Sequence, residues 1–186
     1  MGNIPFEIVQ AFVLTLPAYA ANPLAVITGG HAPMDFGRNF PDGRRILGKG
    51  KTWSGFIGGS LLASVAGIII YISNLLLGSP MVLYGSGFAS AFALVLVMGV
   101  SSLSGDAIGS FLKRRIGLES GANASLLDQL PFILFMLLII TVFFTQFSMA
   151  VYGNLVGLFT VILITPPMHR AVNIIGFRMR GKDVPW

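Results

Sequence analysis

Apolar residues run almost unbroken along most of this chain, and short polar stretches divide them into segments. Residues 4–29 are apolar and long enough to cross a hydrocarbon layer of about 30 Å at 1.5 Å per residue. Pro17 and Asn22-Pro23 interrupt that run, which predicts a kink or break in its second half. A second span covers 53–77, with Thr52 or Ser54 placed to cap it, and a third covers 85–104 after the uncharged turn at 78–84. Beyond Gly105 the pattern changes: Ile108, Phe111, Leu112 and Ile116 fall on one side of a continuing helix, and Asp106, Ser110, Lys113 and Arg114 on the other. The third span therefore extends past the membrane as an amphipathic helix. Ser125-Leu126-Leu127-Asp128 has the form of a capping box ahead of the next apolar run. One helix over 130–165 would reach about 54 Å, so this stretch divides into spans 130–147 and 149–165. Turn residues lie within 146–153, and Pro166-Pro167 is expected to end the fifth span before a tail, 166–186.

Composition agrees with that pattern. Of 186 residues 54% are hydrophobic and 10% charged, where a soluble domain carries about 25% charged residues. The chain has no cysteine, which excludes disulfides, a thiol nucleophile and thiolate metal sites, and two histidines are too few for a multi-histidine zinc site. No basic segment precedes the first apolar run, which is expected to be a retained span rather than a cleaved signal. The formal net charge is +5. Its twelve cations fall in three groups, in the loop 30–52, at 113–115 and in the tail, which reads as membrane orientation rather than nucleic-acid binding.

The positive-inside rule then predicts an all-α integral membrane protein with five transmembrane helices, the N-terminus outside and the C-terminus cytoplasmic. It is a single membrane domain, 1–186, with cytoplasmic loops 30–52 and 105–129 and a polar site at the cytoplasmic helix ends. Six of the seven acids join the cations on that side, leaving Glu7 outside. No internal repeat and no charged midplane appear, so chemistry at the cytoplasmic face is favoured. A small lipid or anion transporter with a basic cytoplasmic vestibule stands as the alternative.

The most concentrated polar chemistry is DFGRNFPDGRRILGKGKTWSG, residues 35–55, a basic island that holds Arg38, Arg44, Arg45, Lys49 and Lys51 among Gly37, Gly43, Gly48 and Gly50. Exposed backbone N–H groups and cations suit a phosphate chain, although orientation charge alone explains a basic loop. Gly43 to Lys49 matches part of a P-loop, but Gly50 stands where Ser or Thr belongs and no strand precedes it. Asp42-Gly43-Arg44-Arg45 also lacks the later acidic partner of CDP-alcohol phosphotransferases. Asp106 and Asp128, at the ends of spans three and four, suit Mg²⁺ bound to a nucleotide triphosphate; capping or ion pairing is the plain alternative.

Three motifs in order, the island, GDAIGSFLKRRIGLESGANASLLDQL, and TPPMHRAVNIIG with a terminal VPW, resemble the archaeal CDP-archaeol synthase family over essentially the whole chain. The resemblance implies a multi-pass cell-membrane enzyme with its site facing the cytoplasm. It would transfer cytidylyl from CTP to an unsaturated archaeol phosphate, an isoprenoid glycerol phosphate lipid, and release pyrophosphate. Ser110-Phe111-Leu112-Lys113-Arg114 also carries the S-x-x-K-R of the distantly similar CDP-diacylglycerol synthases, while the later H-G-G and D-R-x-D run is absent. The expected site has Asp106 and Asp128 on Mg²⁺, with Asp35 or Asp42 as further candidates for the second ligand. Arg44, Arg45, Lys49, Lys51, Lys113 and Arg114 are expected on phosphates, with Ser110 and Thr52 as donors. Asn22, Asn39 and Asn123 are the candidates for reading cytosine.

Overall fold

The computed structural model describes residues 3–119, 122, 124 and 126–178. Among them the chain forms α1 (Ile4–Thr28), α2 (Trp53–Leu76), α3 (Phe88–Arg115), α4 (Leu126–Gln129), α5 (Pro131–Phe143), α6 (Thr145–Tyr152) and α7 (Leu155–Arg178). Strand-like pairing is limited, among the described residues, to isolated bridges at Pro33–Thr52 and Asn39–Arg45. Four helices are long and apolar enough to cross a membrane, namely α1, α2, α3 and the Leu155–Ile174 part of α7.

Helix α1 is the central element and touches α2, α3, α6 and α7. Asn3 caps it, its Oδ1 accepting from the Phe6 N–H at 3.2 Å. The expected interruption at Pro17 and Asn22-Pro23 does not break the helix, which continues through both prolines to Thr28. Packing holds Pro17 in place: a Cβ on Gly67 of α2 would stand 3.0 Å from its ring and 2.6 Å from Val95 of α3. Gly55, Gly59, Ala63 and Gly67, spaced four apart, form the seam along which α2 lies on α1. Small residues are required there, since a Cβ on Gly59 would fall 2.8 Å from Ala25 Cβ and 2.9 Å from Ala21 O.

A second close seam joins α3 to the start of α5. A Cβ on Gly105 would lie 2.5 Å from Pro131 O, and one on Gly109 2.9 Å from Leu127 O. This approach lays α4 against the charged end of α3. Between the seams, Leu14, Leu94, Val95, Met98, Ile133, Met136 and Ile140 fill the core. Several buried hydroxyls at that depth find partners inside the protein, as hydrocarbon favours. Tyr84 OH donates to Leu14 O at 3.0 Å, Ser102 Oγ to Ala18 O at 2.8 Å, and Thr15 Oγ1 bonds Tyr152 OH at 2.8 Å.

The third helix continues to Arg115 as its residue pattern predicts, but the last third of the chain differs from expectation. The run 130–147 breaks at Phe144, whose φ of −130° and ψ of 50° separate α5 from α6. Alone, α5 measures about 20 Å. Side chains bridge the break, with Thr145 Oγ1 donating to Thr141 O and Thr141 Oγ1 bonding Ser148 Oγ, both at 2.8 Å. The turn falls at Gly153-Asn154, and α7 starts at Leu155 rather than 149 because Asn154 Oδ1 accepts from Gly157 N–H at 2.7 Å.

Pro166-Pro167 does not end the last span; both residues lie inside α7. Proline already has a helical φ, so continuing costs backbone hydrogen bonds, and contacts with α1 offset that loss. Tyr19 OH reaches Val161 O and Thr165 Oγ1, each at 3.1 Å. The rest of the predicted tail, with Arg180, Lys182 and Asp183, lies outside the described residues, as does Ser125 of the predicted capping box.

Replacing Gly59 by Val should destabilise the protein by about 1–3 kcal/mol through overpacking of the α1–α2 seam. The check is a lowered thermal midpoint in detergent, with Gly87→Ala unchanged because nothing stands within 4 Å of that site.

Candidate functional site

Between α1 and α2 the basic island folds into a compact loop around one carboxylate. Asp35 Oδ2 accepts from Arg45 Nε at 2.8 Å and Leu47 N–H at 3.1 Å, and Oδ1 accepts from Arg45 Nη2 at 2.9 Å and Gly37 N–H at 3.0 Å. The Asp35 side chain is 1% exposed. The bidentate Arg45 contact, helped by the Gly37 and Leu47 amides, overcomes the effect of burial and brings its pKa from 3.8 down to about 2. The loop turns at Gly37 (φ 73°) and Gly43 (φ 78°), conformations that disfavour a side chain.

The island then docks on the end of α3 through reciprocal arginine contacts. Arg44 Nη1 donates to Arg115 O at 2.8 Å, meeting a carbonyl that the helix end leaves open. Arg115 returns the contact, donating to Arg45 O at 2.7 Å and Asp42 Oδ1 at 2.6 Å. Its guanidinium lies over the rings of Phe40 and Phe111, at 4.5 and 5.0 Å. Further up α3, Gly48 N–H donates to the buried Ser110 Oγ at 2.9 Å.

These contacts divide the residues nominated from sequence. Arg44, Arg45, Asp35 and Asp42 are engaged in holding the island together and onto α3, and Ser110 accepts from it. Lys49 is exposed. Thr52 caps α2, its Oγ1 accepting from Gly55 N–H at 3.2 Å and Gly30 N–H at 3.3 Å. The other N–H groups of the first turn of α2 are also used, since Trp53, Ser54 and Phe56 donate to Ala32, His31 and Thr52 carbonyls. That helix start therefore offers a dipole but no open donors. Asn123 lies outside the described residues.

A cleft opens where the island, α1, α2, α3 and α7 meet, lined by Asn22, Lys51, Thr52, Phe56, Asp106 and His169 among others. Its volume is about 90 Å³, below the few hundred Å³ of an ordinary ligand pocket. Lys51 Nζ and Asp106 Oδ2 form an ion pair within it. A second pair joins Lys113 to Asp128, whose other oxygen accepts from Ala124 N–H at 2.8 Å. Arg114 is buried beside them, and its Nε has no hydrogen-bond partner among the described residues. Asp106 and Asp128 thus each face a different lysine. No group of three or more His, Asp and Glu side chains gathers among the described residues. Asn22 lines the cleft and Asn39 does not. The residue that sequence reasoning passed over is His169, brought in by the continuation of α7. Its signal was a histidine just beyond a proline pair in an apolar helix.

Comparison with known proteins decides the family. The model for the CarS-like family, CDP-archaeol synthase, matches residues 5–186. The chain belongs to the CDP-archaeol synthase family. Its relatives in that family include the CDP-archaeol synthase of Picrophilus torridus, 49% identical with all of both chains covered. Those of Pyrococcus horikoshii and Archaeoglobus fulgidus are 41% and 38% identical, covering 97% and 96% of this chain and 98% of each relative. A solved structure described as an intramembrane enzyme for archaeal membrane lipids biosynthesis superposes with a TM-score of 0.57 at 31% identity, covering 94% of this chain and 95% of that one.

The Asp35 geometry makes a prediction about acid. A folded pKa of about 2, below the ordinary 3.8, means that this carboxylate stabilises the island fully above about pH 4 and loses its effect as pH falls toward 2. Pepsin cleavage within 35–51 should therefore be slow at pH 4 and accelerate toward pH 2. At neutral pH, Asp35→Asn should open the same segment to trypsin roughly ten- to a hundredfold faster, the effect of about 1–3 kcal/mol on local opening.

Proposed function

We propose that the cleft holding the Lys51–Asp106 pair is the site of cytidylyl transfer. The chain is a CTP-dependent nucleotidyltransferase of archaeal membrane lipid biosynthesis, as membership of the CDP-archaeol synthase family assigns. The transporter alternative is not favoured. Its lipid substrate is an unsaturated archaeol phosphate. The lipid phosphate, with a second pKa of about 6, is largely dianionic at neutral pH and needs no strong general base. One of its oxygens attacks the α-phosphorus of CTP, the bond between the α-phosphorus and the bridging oxygen to the β-phosphate breaks, and pyrophosphate leaves with that oxygen. Catalysis then consists mainly of positioning and neutralising charge.

The residues present fit Mg²⁺. That ion is commonly held by one or two carboxylates, with substrate phosphates and water completing the octahedron, so it does not need a cluster of protein ligands. Asp106 and Asp128 are the carboxylates that would hold it, and when bound it would screen the triphosphate and the charge developing during transfer. Both aspartates are paired with lysines, which supports an exchange on substrate binding. Lys51 and Lys113 release their carboxylates and take phosphate oxygens, while Lys49 and Arg114 add positive charge beside them. Arg44, Arg45, Asp35 and Asp42 serve the site by holding the island in place. Thr52 turns its hydroxyl proton from Ser54 Oγ, 3.4 Å away, to a phosphate oxygen, and Asn22 is the cleft residue suited to cytosine.

The topology that accompanies this reading has five crossings, with α5 and α6 together supplying the fourth. The end carrying Arg38 to Lys51, Lys113 to Arg115 and Arg170 faces the cytoplasm.

In purified protein, Asp106→Asn should lower CTP-dependent CDP-lipid formation by at least about a hundredfold while elution and thermal midpoint stay unchanged. Chelation should stop turnover and added Mg²⁺ restore it. Full activity in Asp106→Asn would remove this carboxylate from the mechanism.

A further inference from the structure

Helix α7 carries a polar ridge where an ordinary membrane helix would be apolar. Thr165, His169 and Asn173 follow one another at intervals of four along the helix. Thr165 and Asn173 are buried, and Thr165 is tied to Tyr19 of α1. Polar side chains enclosed in a membrane helix are costly, and a functional role is the default reading.

Contacts from α5 and from its own helix orient the His169 ring. It stacks on Phe132 of α5 with centroids 6.0 Å apart and planes 28° from parallel, and Asn173 Nδ2 lies 3.2 Å from its Nδ1. The same residue lines the cleft that contains Lys51 and Asp106.

We infer that His169 contacts substrate, donating a hydrogen bond from Nε2 to a phosphate oxygen in the cleft; this rests on the cytidylyltransferase reading above. An amide N–H of Asn173 donating to Nδ1 places the imidazole proton on Nε2, while Phe132 sets the plane of the ring. A neutral donor held in this way can stabilise charge on the phosphate oxygens without giving up its proton. The phosphate belongs either to CTP or to the lipid, and the same N–H serves both. Tyr19 and Thr165 are positioning residues, because they hold α7 against α1 on the near side of the proline pair.

A histidine that only packs against Phe132 would be replaceable by another ring. His169→Phe keeps the stack and removes the donor, whereas His169→Gln restores an N–H near the Nε2 position. With Mg²⁺, CTP and a prenyl glycerol phosphate, His169→Phe should lower kcat/KM by about a hundredfold at an unchanged thermal midpoint, and His169→Gln should recover about tenfold. Weakened CTP binding in equilibrium dialysis assigns the contact to the nucleotide. Unchanged CTP binding with reduced kcat/KM for the lipid assigns it to the lipid phosphate. Wild-type kcat/KM in His169→Phe overturns the inference. Should that variant unfold, His169→Leu and His169→Gln are compared at equal folded fraction, and equal rates overturn it as well. A wild-type protein that yields no pyrophosphate in this assay would instead count against the cytidylyltransferase reading.

Discussion

The buried carboxylate of Asp35 is the constraint on which the architecture of the charged end depends. An ionised group that is 1% exposed must have its lone pairs filled, and four N–H donors fill them. Those bonds draw Gly37, Arg45 and Leu47 onto one point and convert a glycine-rich loop into a fixed shape. Once Arg45 is held, Arg44 meets the carbonyls at the end of α3, and Arg115 comes back to Asp42 and the island backbone. Lys51 is then delivered to Asp106 from the far side of the loop. A basic loop that looked available for phosphate therefore spends much of its charge on its own placement. The cations beside the cleft are positioned by those that are not.

Close helix approach is the second requirement, and glycine supplies it in two places. The Gly55–Gly59–Gly67 seam lets α2 lie on α1, so that the two ends of the connecting loop meet where Gly30 N–H donates to Thr52 Oγ1. The Gly105–Gly109 pair lets the α4–α5 junction rest on α3, which is how Asp128 comes to face Lys113. In hydrocarbon there is little hydrophobic drive between helices, so such contacts depend on packing at short range and on shared hydrogen bonds. The Tyr19, Thr15 and Tyr84 hydroxyls provide the latter around α1.

Much of this was legible in the residue pattern. The first two long apolar helices, the continuation of the third to Arg115 and the Thr52 cap follow from hydrophobic runs and helical spacing. The last third was less legible. Phe144, Asn154 and the Pro166-Pro167 pair carry local signals whose meaning depends on neighbours. A proline pair stops a helix in isolation, yet α7 passes through it where Tyr19 reaches Val161 and Thr165. With α7 assumed to end there, His169 was placed in a tail and so had no visible role.

The amino-acid sequence by itself determined a membrane protein of long apolar helices with its basic and acidic residues gathered at one end, and it carried the motifs of a lipid cytidylyltransferase family. These are properties of composition, periodicity and order along the chain, and they survive whatever the partners are. Only the tertiary structure decided which cations fasten the island and which stand in the cleft, and that α7 brings a histidine to Lys51 and Asp106. The reason is physical. Whether a charged or polar group is spent on structure or left for substrate depends on who stands within 3 Å of it, and residues some sixty positions apart such as Gly48 and Ser110 meet only after the chain has folded.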